Sequence, residues 1–194
     1  AGDFASAAKD LDAALEVADE DSRPVIQLSR AKLLLSEGKT DEALTVLKEL
    51  RSTNLADQAI GIEYRHLVRN KRGTEADDLL RQGRQAHPES ALLLAVEVQR
   101  LMELERYGDA EKILTEVRQT DPKSVAPIAL LADVYEQAGK SQQATDLLEK
   151  AAVELPEDAS IKIRLVEKLL TARSFDRAHQ LMEAMRKDAN INQT

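Results

Sequence analysis

The chain has 194 residues, 43% of them hydrophobic but only 3% aromatic, with seven glycines, five prolines and no cysteine. Any core must therefore be Leu, Ala, Val and Ile, and disulfides and thiolate metal sites are excluded. A formal net charge of −8 argues against nucleic acid as the main ligand, because neutralising phosphates takes clustered Lys and Arg.

An Ala- and Leu-rich chain with 32% charged residues predicts an all-helical fold. No apolar run approaches the ~18–20 residues that would span a bilayer, so membrane insertion is not expected. The opening AGDFASAAKD has no signal-peptide pattern, and there is no initiator methionine, which reads as a processed protein or an excised piece.

In chain order, a helix from Ala5 to about Ala18 comes first. A period then sets in. Ala43, Ala76, Ala110, Ala144 and Ala178 are spaced 33, 34, 34 and 34 residues apart, and Pro88, Pro122 and Pro156 are 34 apart. Two independent markers with one period define a repeat. An apolar pair follows each alanine: Val46-Leu47, Leu79-Leu80, Ile113-Leu114, Leu147-Leu148 and Leu181-Met182.

Residues 125–158 show what one copy contains. Asp121-Pro122-Lys123-Ser124 stops the preceding helix, Ser124 is set to cap the next, and Pro127 falls in its first turn. Ile128, Leu131, Val134, Tyr135 and Ala138 keep helical spacing up to Gly139, whose tolerance of positive φ suits a helix end. Ser141 is expected to cap a second helix carrying Ala144, Leu147, Leu148 and Ala151 on one face, with Thr40, Thr74 and Ser174 at matching positions. Thr74 and Asp77 suggest a capping box. Alanine at the repeat position lets two short-linked helices approach closely.

These residues resemble the tetratricopeptide repeat family. Ile128, Leu131, Ala132, Tyr135, Gly139, Ala144, Leu148, Ala151 and Pro156 follow its 34-residue pattern almost throughout. Leu94, Val98, Leu101, Tyr107, Ala110, Leu114, Val117 and Pro122 follow it in the copy before. The resemblance divides the chain into an incomplete unit, 1–19, and repeats 24–56, 57–90, 91–124, 125–158 and 159–192 of a single array. Gly2, Phe4, Ala7, Leu11 and Ala14 fit the second helix of that incomplete unit. It implies an all-α solenoid of stacked antiparallel helix pairs, wound as a right-handed superhelix with its first helices lining a concave groove. Arg30, Glu63 and Glu97 depart from the pattern, standing where leucine is usual; paired or outward-turned charges are the expected explanation.

Sequence signals for chemistry are weak. His66, His87 and His179 occupy unlike places in the repeat and suggest no shared metal site. No nucleophile elbow or phosphate loop is present. The expectation is a non-catalytic protein without cofactor.

The resemblance places groove positions at Val25, Leu28, Lys32, Leu35 and Ser36, then Gln58, Gly61, Arg65, Val68 and Arg69. Leu92, Ala95, Gln99, Met102 and Glu103 follow, then Ala126, Ala129, Asp133, Glu136 and Gln137, and last Ser160, Ile163, Glu167, Leu170 and Thr171. The groove would run from basic (Lys32, Arg65, Arg69) through apolar (Leu92, Ala95, Met102) to acidic (Asp133, Glu136, Glu167). Leu28, Lys32, Ile62, Ala126 and Leu130 do not match the family members that clamp chaperone tails.

The function expected is a protein–protein interaction scaffold holding an extended segment or helix in the groove. Two alternatives stand beside it: a piece of a bacterial envelope scaffold for polysaccharide or lipopolysaccharide export, and a self-assembling spacer. The terminal helix carries Phe175, Leu181, Met182 and Met185 with no polar cap after it, so an internal piece of a longer array, or end-to-end self-association, is expected. The setting expected is soluble, in bacterial cytoplasm or periplasm.

Overall fold

This computed structural model describes residues 4–191, with side chains as far as Lys187; Gly2 lies outside the described residues. Eleven helices and no strand occur among them: α1 (Phe4–Val17), α2 (Arg23–Ser36), α3 (Thr40–Leu50), α4 (Ala56–Arg69), α5 (Gly73–Ala86), α6 (Ala91–Glu103), α7 (Tyr107–Thr120), α8 (Val125–Gln137), α9 (Ser141–Glu154), α10 (Ala159–Thr171) and α11 (Phe175–Ile191). The fold is an α-solenoid of helix pairs in which a first helix is joined by a short turn to a second. The chain divides into two compact units, Ala1–Glu97 and Val98–Thr194.

The five periodic alanines, Ala43, Ala76, Ala110, Ala144 and Ala178, are all 0% exposed. Each also donates its backbone N–H to the carbonyl of the residue before its helix begins: Lys39, Arg72, Arg106, Lys140 and Ser174. The alanine therefore fixes both where the second helix starts and how near its neighbours come. In the first unit, Leu28, Ala31, Leu47, Leu50, Ala59 and Ile62 form one cluster, and Ile60, Tyr64, Leu67, Ala76, Leu79, Leu80 and Leu93 another. In the second, Ile128, Ala132, Ala144, Leu148, Ala151, Ile161, Leu165, Leu169 and Ala178 form a core running from α8 to α11.

Every first helix ends by one device. Gly38, Lys71, Glu105, Gly139 and Arg173 occupy equivalent positions and all have positive φ, between 57° and 79°. Each donates its N–H three residues back, and the residue after it donates five back; Gly139 to Glu136 O at 3.0 Å and Lys140 to Tyr135 O at 2.7 Å are one example. These paired bonds satisfy the last carbonyls of the helix. Glycine was expected here from Gly139; the structure shows that three copies manage with a side chain.

Side-chain capping of α3, α5 and α9 does not occur as expected. Thr40 and Ser141 are already the first helical residues, Thr74 is the second, and the residues before these helices make no side-chain cap bond. The helices start a residue or two earlier than cap chemistry suggests, because the buried alanine's bond to the preceding carbonyl sets the start. At the start of α5, Arg72 pairs with Glu75 through two bonds of 2.8 and 2.6 Å. Ser124 does stand at the N-cap of α8 with extended backbone, but without a side-chain bond, while Pro127 is buried in the first turn. True side-chain caps are found at Ser90, whose Oγ accepts from Leu93 N at 3.2 Å, and Asp158, whose Oδ1 accepts from Ile161 N at 3.0 Å.

Candidate interaction face

In the first unit, α2 and α4 each bury one side and present another. Leu28, Ala31 and Leu34 hold α2 in the core, leaving Val25, Lys32 and Ser36 exposed. Ala59, Ile60, Ile62, Tyr64 and Leu67 hold α4, leaving Gln58, Arg65 and Arg69 exposed. Arg65 and Arg69, four residues apart, share a helix face. The side chains of Lys32, Arg65 and Arg69 make no hydrogen bond or ion pair among the described residues. Three cations held in water without internal partners can receive a carboxylate at little desolvation cost.

Two of the carried-over groove positions in this unit are not open. Leu28 lies in the core, and Gly61 is buried because α6 approaches it: a Cβ built there would lie 3.0 Å from Leu92 Cδ2. Leu92 itself is exposed and Ala95 half-buried. Leu28 and Gly61 are thus packing positions towards the next first helix, which sequence alone did not reveal.

In the second unit the acidic positions are mostly spoken for. Asp133 Oδ1 accepts from Arg164 Nη1 at 2.9 Å, and Glu136 Oε1 pairs with Lys168 Nζ at 3.4 Å, both linking α8 to α10. Glu136 also accepts from Ser141 Oγ at 3.2 Å. Gln99 is exposed and donates to Glu103 at 3.4 Å. Met102 is 5% exposed and offers a ligand almost nothing. Glu167 remains exposed, between exposed Ile163 and Leu170 on the same helix.

The three unusual charges are all paired with the preceding second helix. Arg30 reaches Asp12 at 3.4 Å, Glu63 meets Arg51, and Glu97 Oε2 accepts from Arg84 Nε at 3.1 Å. Arg118 stands at the position of Arg51 and Arg84 in the next copy, where Leu131 replaces the acid; its Nε has no partner, and Nη2 lies 3.6 Å from Glu154. One further polar link ties α7 to α8. The Tyr135 hydroxyl donates to Glu111 Oε1 at 2.8 Å, and Lys140 lies 3.4 Å from Glu111 Oε2. Burial first, and then the Glu111 carboxylate, push the Tyr135 phenol up to about 12.

Among the described residues no group of three or more His, Asp or Glu side chains is placed to hold a metal ion. His66 accepts or donates at 3.1 Å with the Asn70 amide, His87 lies 4.0 Å from Glu89, and His179 is exposed on α11. No described helix is long and apolar enough to cross a membrane.

The fold is that of a helical-repeat protein. Residues 101–152 match the sequence model of the tetratricopeptide repeat family, and the chain as a whole has the helical-repeat fold seen in tetratricopeptide repeat proteins. The fold is similar to that of yeast Tom70, with TM-score 0.68 and 18% identity over 95% of this chain and 39% of that one. A tetratricopeptide repeat protein from Parabacteroides merdae is similar at TM-score 0.58 and 17% identity, over 96% of this chain and 73% of that one. Pseudomonas aeruginosa pilF is similar at TM-score 0.55 and 20% identity, over 86% and 77%. At these identities the likeness is one of fold. No curated protein matches the chain by sequence. Tetratricopeptide arrays are in general non-catalytic scaffolds for protein interactions.

Proposed function

We propose that the chain binds a protein segment across its first helices, and that the face formed by Lys32, Arg65, Arg69 and Leu92 is where an acidic stretch of that partner with an apolar anchor docks. This reading takes 24–56, 57–90, 91–124, 125–158 and 159–192 as repeats that each contribute one first helix. The observation that carries it is the contrast in charge use. Asp133 and Glu136 are engaged in pairs between helices, whereas Lys32, Arg65 and Arg69 are exposed and have no partner among the described residues. Charges already paired internally give a ligand little, because each new contact must break an old one; unpaired ones set both attraction and encounter rate. The partner therefore meets cations in the first unit without competition, while Asp133 and Glu136 serve the array.

The test compares proteins captured by the native chain with those captured by a Lys32→Glu, Arg65→Glu, Arg69→Glu variant of equal helicity. A partner held by the native chain and lost by the variant supports the proposal. Equal capture moves the interface elsewhere.

A further inference from the structure

The end of α1 and the turn that follows carry the densest run of acid in the chain. Residues 16–21, Glu-Val-Ala-Asp-Glu-Asp, hold four carboxylates, and no other six-residue window holds as many. No Lys or Arg lies between Asp10 and Asp21. Asp19 serves the turn itself: its Oδ1 accepts from the Ser22 backbone N–H at 2.8 Å and from the Ser22 hydroxyl. The other three, Glu16, Glu20 and Asp21, are exposed, and their side chains make no hydrogen bond or ion pair among the described residues. Val17 beside them is 87% exposed, the most open large hydrophobic side chain among the described residues.

This exposure does not depend on where the sequence starts. Val17 is the last residue of α1, and Ala86, Thr120 and Glu154, the last residues of α5, α7 and α9, are exposed too, although helix pairs precede and follow each of them.

Lys32, Arg65 and Arg69 are the converse set, three exposed cations without partners among the described residues, with Leu92 exposed on the neighbouring helix. Residues 16–21 therefore carry both features this face calls for, unpaired acid and an apolar anchor. Within one copy the two sets do not meet, since none of these acids pairs with any of these cations.

We infer that Glu16, Glu20 and Asp21 of a second copy dock on the face of Lys32, Arg65 and Arg69, with Val17 against Leu92, so that the chain self-associates. The inference rests on the face proposed above and names an occupant for it. Charges unpaired on both sides break no internal pair when they meet, and the two aliphatic side chains add apolar burial. Opposite charge also steers the encounter, so the contact weakens with salt.

Sedimentation velocity of the full chain, from about 1 µM to about 1 mM, reads the association. The native chain is expected to associate with a Kd of roughly 10–100 µM at low salt, rising at least about tenfold between ~20 and ~300 mM salt. Reversing the acids (Glu16→Lys, Glu20→Lys, Asp21→Lys) leaves a monomer over this range, and so does reversing the cations (Lys32→Glu, Arg65→Glu, Arg69→Glu). Circular dichroism checks that both variants keep the native helicity. Mixed in equal amounts, the two variants associate, because each then offers the charge that the other lacks. Restoration on mixing cannot come from an unfolded variant.

A native chain that stays monomeric overturns the inference. So does either reversal variant that associates as well as the native chain, and so does a mixture that remains monomeric. These outcomes leave open an acidic segment of another protein on the same face, which the capture experiment decides separately.

Discussion

Arg84, on α5, donates from Nε to Glu97 Oε2 on α6 at 3.1 Å, and from Nη1 to the Pro88 carbonyl at 2.8 Å. One guanidinium thus ties a second helix to the next first helix and to the turn between them. Glu97 replaces the leucine usual at its position, and it is the arginine that makes this substitution tolerable. Glu97→Leu leaves Arg84 mostly buried without its acid and is expected to destabilise by about 1–2 kcal/mol, below the range for a fully buried pair because Glu97 keeps some solvent. The double variant Arg84→Met, Glu97→Leu should recover most of the loss. Urea denaturation of the three proteins checks both statements.

Glu105 holds φ at 57° at the end of α6, where Gly38 and Gly139 serve in other copies. A side chain in that conformation costs about 1–2 kcal/mol, part of which glycine returns through its freer unfolded state. Glu105→Gly is expected to stabilise by ~0.5–1 kcal/mol, and Gly139→Ala to destabilise by about 1 kcal/mol although no atom lies within 4 Å of its added methyl. Thermal melts of both variants read the two signs directly.

Two helical glycines should respond oppositely to alanine. At Gly83 a methyl would meet Ile60 at 3.1 Å and Leu93 at 3.3 Å, both well buried. At Gly61 it would meet only the end of the exposed Leu92 side chain, at 3.0 Å. Alanine gains about 0.5–1 kcal/mol of helix propensity at either site, while overpacking a rigid core costs about 1–3 kcal/mol. Gly83→Ala should therefore lower stability and Gly61→Ala leave it unchanged or raised, as measured by denaturant midpoints.

The Tyr135 phenol is pushed up from 10.0 to about 12. A raised pKa favours the protonated form in the folded state, so this contribution to stability is complete below pH 10 and is lost as pH climbs towards 12. Absorbance titrations near 295 nm of the native chain and of Tyr135→Phe should differ by a late-ionising step that the variant lacks. The lost hydrogen bond to Glu111 should cost about 1 kcal/mol at neutral pH.

Fold class was legible because a 34-residue period in alanine, proline and paired aliphatics can only mean stacked units, and each alanine is fully buried. The helix ends were half legible. Gly139 announced its turn, but Lys71, Glu105 and Arg173 take the same backbone without a compositional sign. Cap chemistry misled at Thr40, Thr74 and Ser141, since tertiary packing of the alanine overrides a propensity worth about 1 kcal/mol. The candidate face was legible in position but not in state. Nothing in the sequence shows that Asp133 and Glu136 are paired to Arg164 and Lys168, thirty-odd residues on, while Lys32, Arg65 and Arg69 have no partner among the described residues. Such a difference depends on which first helices are neighbours, and only coordinates supply it.

The most direct test of the central claim is hydroxyl-radical footprinting of the chain with and without a captured partner. Val25 and Leu92 are exposed reporters on first helices, and Val17 and Val153 are exposed reporters on second helices. The account predicts that the partner protects Val25 and Leu92, leaves Val17 and Val153 as reactive as before, and loses this protection in the Lys32→Glu, Arg65→Glu, Arg69→Glu variant. Protection of Val17 or Val153 with Val25 and Leu92 unchanged would contradict it.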